Sequence, residues 1–319
     1  MTEIPDNKLL LDHTYKKYIP IVTTICCAIS VILFIGINLE EKADDWSVYK
    51  RWGSPPMTDI FSGSYWGLIT SNFLHVDLWH IAFNLYGFWI LGKKIEFETN
   101  IPYYLLFILT ASLISSLSQL AFSESTGIGI SGVIYAFFGF ILLKSKTEKA
   151  YKEVLDKKTI RQIIGWTALC VILTYFKIWN VGNAAHIAGF VWGVLLAYIS
   201  GFNLPKQLSI GSAFLVVLAS SIFWTPFSNS WLSYQAYQLH LTKHYDEAIA
   251  AYKKILDREA TNEWARENRT RLEVHKLQQK INALIENHQY KEILPLLNRI
   301  NELDPNNEWA KETKKRSVW

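Results

Sequence analysis

Cysteine is scarce in this chain. Its 319 residues hold three, Cys26 and Cys27 side by side in one apolar stretch and Cys170 inside another. That distribution excludes a disulfide framework and gives no metal site of ordinary ligand spacing; no cofactor motif stands in its place. Basic runs interleaved with aromatic residues are missing too, and with a formal net charge of only +4 nothing points to nucleic acid. The first apolar stretch follows a polar amino-terminal tail and is not followed by a small-residue cleavage pattern, so an uncleaved anchor is expected rather than a signal peptide. Acidic residues are absent from the apolar segments near 76–92, 130–143 and 184–202, apart from Asp77 at the mouth of the first. Any catalytic group deep in these segments must therefore work without a carboxylate beside it.

What is abundant is apolar surface. Half of the residues are hydrophobic and 14% are aromatic, although the last 80 or so are hydrophilic in character. The pattern predicts an all-α polytopic membrane protein with an appended soluble domain. Seven membrane segments are expected, near 18–38, 76–92, 102–122, 130–143, 160–178, 184–202 and 210–227. Lys8, Lys16 and Lys17 before the first, Lys93 and Lys94 after the second, the lysine-rich run from Lys144 to Arg161, and Lys206 after the sixth fall on one side if every segment spans. That side is expected to be cytoplasmic, and an odd count then places the carboxyl-terminal domain outside the cytoplasm, with a bacterial inner membrane as the expected setting. Trp46, Trp52, Trp66, Trp79 and Trp179 sit near the inferred interfaces, as aromatic-belt residues do.

Three of these segments carry polar groups at one depth. His80 is 13 residues from Lys93, Ser131 is 13 from Lys144, and His186 is 15 from Gly201, so each lies roughly 20 Å above the inner interface at 1.5 Å per residue. Asn84 is one turn below His80 on the same helical face. A serine beside a glycine in a membrane helix ordinarily packs or bonds to its own backbone, and a single histidine ordinarily makes an interhelical contact. Four such groups meeting in one layer point instead to chemistry in a buried cavity. Ser131 with His186 as its base forms a candidate dyad for acyl transfer, and Tyr135, one turn after the serine, could lay its ring on the imidazole. Asn84, His80 and the backbone amide of Ser131 are the donors available to a tetrahedral intermediate. Gly132, Gly139, Gly189 and Gly193 remove bulk at helical intervals, which lets the fourth and sixth segments approach closely, while Gly127 and Gly129 permit an unusual backbone before the serine.

The run SNFLHVDLWHIAFN, with GISG around Ser131 and AHIAGFVWG around His186, resembles the rhomboid family of intramembrane serine proteases over about residues 60–203. The resemblance implies a six-helix core with Ser131 as nucleophile and His186 as base. It also implies His80 and Asn84 at the oxyanion site, Tyr135 packed on the base, and His75 as a structural residue near the mouth. Substrates would be membrane-spanning segments of other proteins in the lipid bilayer. One departure is the loop pair Arg51-Trp52, which is Trp-Arg in many members. Domain boundaries follow: a cytoplasmic tail over 1–17, the rhomboid-like core over 18–203, an additional membrane helix over 204–228, and a soluble domain over 229–319. In that last domain HYDEAIAAYKKIL (244–256) and HQYKEILPLLNRINELDPNNEWA (288–310) look like tetratricopeptide-type helical hairpins, although the offset of 45 residues from Tyr245 to Tyr290 exceeds the usual 34. A protein partner is expected for them. Two rival functions remain at this point: a catalytically inactive relative that binds and regulates membrane proteins, and a small-solute transporter, for which related halves or broken helices would be needed.

Overall fold

The computed structural model describes residues 15, 17–41, 46–179, 181–224 and 229–316. Most of the tail expected over 1–17, and the side chain of Trp46, lie outside the described residues. Among the described residues all regular structure is helical. In the first of two compact units, residues 1–230, the long helices are α1 (Ile21–Asn38), α2 (Leu78–Glu98), α3 (Ile101–Phe122), α4 (Ser131–Lys144), α5 (Lys157–Tyr175), α6 (Asn183–Ile199) and α7 (Leu204–Trp224). By length and composition α1, α3 and α7 could each cross a membrane; α4 and α6 are shorter apolar helices. Charged residues are more numerous in α2 (Lys93, Lys94, Glu96 and Glu98) and α5 (Lys157, Lys158 and Arg161) than in the other five.

Boundaries differ from the sequence expectation where local capping overrides hydropathy. Lys93 and Lys94 do not end α2, which runs on to Glu98 because the Lys94 ammonium is buried against the Glu98 carboxylate, 2.7 Å away, and over the Tyr15 ring. The fifth helix starts earlier than 160 because the Asp156 side chain accepts from Thr159 N at 2.7 Å, a contact that holds its carboxyl below the usual range; it stops at Tyr175 instead of 178. The seventh starts at Leu204 instead of 210: Asn203 Oδ1 accepts from Lys206 N, and Pro205 suits a first turn. Lys206 therefore belongs to that first turn, over the Phe202 ring.

A buried acid closes the start of α1. Pro20 provides no side-chain cap, so the free N–H groups of Val22 and Thr23 are met by Glu96 of α2, at 2.9 and 2.8 Å. Thr23 Oγ1 and Tyr18 Oη donate to the same carboxylate, and Thr23 shares a further hydrogen bond with Tyr104. With Glu96 only 2% exposed, its negative charge sits at the positive end of the helix dipole. Glu96→Ala is expected to cost about 3 kcal/mol, because it orphans several buried donors at once. Glu96→Gln should cost less, since one amide oxygen still accepts. Unfolding in a mild detergent ranks the two, and a melting temperature of E96A equal to wild type would refute the capping role.

The interior is aromatic around α4. Phe88, Tyr104, Phe107, Phe137 and Phe140 are almost wholly buried, with Phe137 between 5.2 and 5.6 Å from three of the other rings. The outer faces are apolar instead: Ile21, Ile25, Ile29, Ile32 and Ile35 of α1 and Val216 and Val217 of α7 are exposed. Buried serines, asparagines and histidines inside an apolar exterior are the arrangement a lipid solvent selects. The loop before α2 is pinned by the Arg51-Trp52 pair. Trp52 lies against Gly36 and donates to Glu40 at 2.9 Å, and Arg51 reaches the same carboxylate at 3.1 Å. These contacts hold the Glu40 carboxyl below its ordinary range, the Trp52 hydrogen bond contributing most.

The second unit, residues 231–319, contains most of α8 (Ser230–Leu241) and all of α9 (Tyr245–Arg258), α10 (Glu263–Glu286), α11 (Ile293–Leu303) and α12 (Glu308–Arg316). An internal repeat of 45 residues runs through it. Lys243 and His288 both adopt a positive φ at the turn, Asn262 and Asn307 both cap the next helix, and Tyr252, Ile255 and Ala265 in one core correspond to Leu297, Ile300 and Ala310 in the other. The long offset has a simple cause. Helix α10 has 24 residues and serves both cores, Leu272 packing in the first and Val274, Ile281 and Leu284 in the second.

Candidate active site

Ser131 is the first residue of α4, where backbone N–H groups have no intrahelical partner. The approach to it is a turn with Gly127 at φ 72° and Gly129 at φ 100°, conformations that side chains rarely tolerate. Gly129 is fixed by space as well: a Cβ there would lie 2.7 Å from the His80 ring and 3.2 Å from Asn84 Nδ2. The bare backbone thus lets two side chains of α2 crowd against the chain just before the serine.

His186 sits in the first turn of α6, 5% exposed, with Nε2 2.7 Å from Ser131 Oγ. Glycine makes that distance attainable. A Cβ on Gly189 would strike the Gly132 carbonyl, one on Gly193 the Ala136 carbonyl, and one on Gly139 the Phe190 carbonyl, so α4 and α6 meet backbone to backbone. Gly132 faces the other way, onto Ser115 of α3. The Tyr135 ring stacks on the imidazole at 4.3 Å between centroids and 16° between planes. The buried Nδ1 of His186 has no hydrogen-bond partner among the described residues, and no carboxylate orients the ring.

His75 is fully buried and bonded to Asn84. Its Nε2 faces two donors, Asn84 Nδ2 at 3.0 Å and Ile130 N at 3.4 Å, and so accepts; Nδ1 then carries the hydrogen and donates to the Phe73 carbonyl at 3.2 Å. This grip uses one amide hydrogen of Asn84 and leaves the second for the cavity. His80 stacks edge-on against His75, 4.9 Å away, and beyond it lie Trp79 and Trp179.

A cavity of about 760 Å³ joins these groups. Ser131, His186, His80 and Asn84 line it, and its wall continues between α2 and α5 past Phe83 and Trp166, whose rings are 4.9 Å apart. Helix α5 is the loosest wall, since Cys170 is its one buried residue. Sequence reasoning missed two neighbours of the site. Thr167 of α5 hydrogen-bonds Tyr135 Oη at 2.7 Å, and Gln119 of α3 accepts from Ala185 N beside the histidine. Neither stands out by spacing, because each acts from a helix without the motif.

A serine hydroxyl bonded to an imidazole, beside amide and imidazole donors at a helix start, is equipped for nucleophilic attack on a carbonyl and for holding the resulting oxyanion. Residues 62–203 match the rhomboid domain family. Over 234 residues the chain is 24% identical to the rhomboid protease GluP of Bacillus subtilis, a stretch covering 72% of this chain and 43% of that protein. Over 189 residues it is 28% identical to the rhomboid protease GlpG of Salmonella paratyphi A, covering 58% of this chain and 65% of the relative. The chain thus spans less than two thirds of either relative.

Proposed function

We propose that residues 62–203, a rhomboid-family domain homologous to bacterial rhomboid proteases, form an intramembrane serine endopeptidase with Ser131 as nucleophile and His186 as general base. The observation that carries this reading is the 2.7 Å bond between the serine hydroxyl and an imidazole buried among apolar helices. His186 takes the serine proton as Oγ attacks the scissile carbonyl and returns it to the leaving amine, and water then hydrolyses the acyl-enzyme by the same relay. Developing negative charge on the carbonyl oxygen meets the free Asn84 amide hydrogen, His80 and the Ser131 amide. A regulatory relative without activity would have no need of this full set. Fluorophosphonate labelling of the purified chain tests the reading directly: only an activated serine reacts, and labelling that persists in S131A would sink it.

The same reading extends to substrate and topology. Helices α1 to α7 are taken as seven spans, with the 14-residue α4 starting inside the membrane, about 10 Å short of the outer surface at 1.5 Å per residue. A folded soluble protein cannot reach a serine at that depth. A membrane helix entering between α2 and α5 can, if it unwinds locally to present a peptide carbonyl. The cut is expected near the extracytoplasmic end of a single-pass substrate, and the 45-residue repeats, read as tetratricopeptide-like, lie on that same side and hold a protein partner. Orientation has two readouts. Mass spectrometry of the products should place the cut away from the cytoplasmic third of the substrate helix, and a cysteine at exposed Asn306 should react with a membrane-impermeant thiol reagent before the inner membrane is lysed. A cytoplasmic cut, or protection of that cysteine until lysis, would overturn the orientation.

A further inference from the structure

The base has an unusual support. His186 Nδ1 has no hydrogen-bond partner among the described residues, so the stacked Tyr135 ring is what fixes the imidazole plane. That ring is itself tethered at its far end, by a 2.7 Å hydrogen bond to Thr167 Oγ1. The direction of the bond follows from the next link. Thr167 donates its own hydroxyl hydrogen to the Ile163 carbonyl at 2.8 Å, so it must accept from Tyr135. The chain Ile163, Thr167, Tyr135, His186 therefore runs from α5 to the base. Helix α5 borders the cavity and buries little of its own surface, which makes it the least firmly held wall of the site.

We propose that Thr167 is a positioning residue for the general base: by accepting the Tyr135 hydroxyl it holds the tyrosine ring against His186 from α5, so that the dyad is ordered while α5 keeps its place beside the cavity. The proposal rests on the protease reading given above. It goes beyond that reading because it makes the orientation of the imidazole depend on a helix that carries neither dyad member. A substrate helix that pushed α5 outward near Thr167 would loosen the dyad it must use. Productive entry should therefore displace α5 elsewhere along its length, or the bond must re-form before chemistry.

The test uses the full chain in detergent micelles and two readouts: the rate of Ser131 labelling by a small fluorophosphonate, and kcat and KM for a model transmembrane substrate. The small reagent needs no movement of α5, so an effect on it reports the dyad and not the entrance. Thr167→Val keeps the shape and removes the acceptor. It should slow labelling and lower kcat about tenfold, the size expected for one lost hydrogen bond, with KM changed less than about twofold. Tyr135→Phe removes the same bond from its other end and should match it, and it stands in for Thr167→Val if that variant melts well below wild type. The double variant should be no slower than either single one, and Thr167→Ser should recover most of the rate. Wild-type labelling of Thr167→Val, even with slowed substrate cleavage, would overturn the proposal and leave α5 a mere gate. Losses that multiply in the double variant would overturn it too. Wild-type protein that shows no Ser131-dependent labelling would fail the protease reading itself, a result distinct from the other two, and the proposal falls with it.

Discussion

Ser131→Ala is expected to abolish cleavage of a model transmembrane substrate, and His186→Ala to reduce it almost as far, by about 10⁴-fold or more. The reason is that the two side chains act as one unit. A serine hydroxyl is a feeble nucleophile until its proton has somewhere to go, and the imidazole 2.7 Å away is the one base within reach among the described residues. The double variant should consequently be no worse than S131A alone. Asn84→Ala should fall between, with turnover lower by about a hundredfold for one lost oxyanion donor and KM changed far less. His75→Ala should partly reproduce that loss at a distance, because it frees the amide that His75 Nε2 holds at 3.0 Å. Single-turnover assays on purified protein, with circular dichroism to show that each variant is folded, separate the chemical step from binding. Substrate cleaved by S131A at the wild-type rate would remove Ser131 from the mechanism, and a wild-type chemical rate for N84A would remove the donor.

The geometry that supports this series was partly legible in the sequence. Counting residues from the expected cytoplasmic ends of the segments brings Ser131, His80 and His186 to one layer, and the three line one cavity in the structure. The helix itself runs past the segment, since Lys93 and Lys94 do not end α2. Hydropathy treats a lysine as a stop; it cannot see that Glu98 and the Tyr15 ring make a buried place for one. Glu96 was overlooked for the same reason, lying just beyond the supposed end of the segment, although it closes the first turn of α1. Thr167 and Gln119 were illegible in another sense. Their effect depends on which helix lies opposite, and one sequence without its neighbours holds no periodicity for that. The helical repeat at the carboxyl end was visible through Tyr245 and Tyr290, and its odd length became intelligible once α10 proved to serve two cores.

The glycines between α4 and α6 are where sequence, packing and chemistry depend on each other most directly, and they give the second large effect. Gly193→Ala adds one methyl group, which in an exposed helix would stabilise by about 1 kcal/mol. Here the new Cβ would sit inside contact distance of the Ala136 carbonyl, which is backbone and has no rotamer to retreat into. The two helices must then separate by about 1 Å or more, since a close-packed interior has no slack to absorb the overlap. His186 lies seven residues earlier on the same helix, and its bond to Ser131 does not survive such a shift intact. A misplacement of that size typically costs about a hundredfold in rate. Gly193→Ala should therefore lose at least that much activity and melt lower than wild type, whereas Gly201→Ala, where the nearest atom to the added Cβ is the Tyr198 carbonyl at 3.9 Å, should remain close to wild type in both. The pair is measured side by side, by fluorophosphonate labelling rate and by thermal unfolding in detergent. Equal behaviour of the two variants would show that α4 and α6 tolerate separation, and the close helix contact would no longer explain how the serine meets its base.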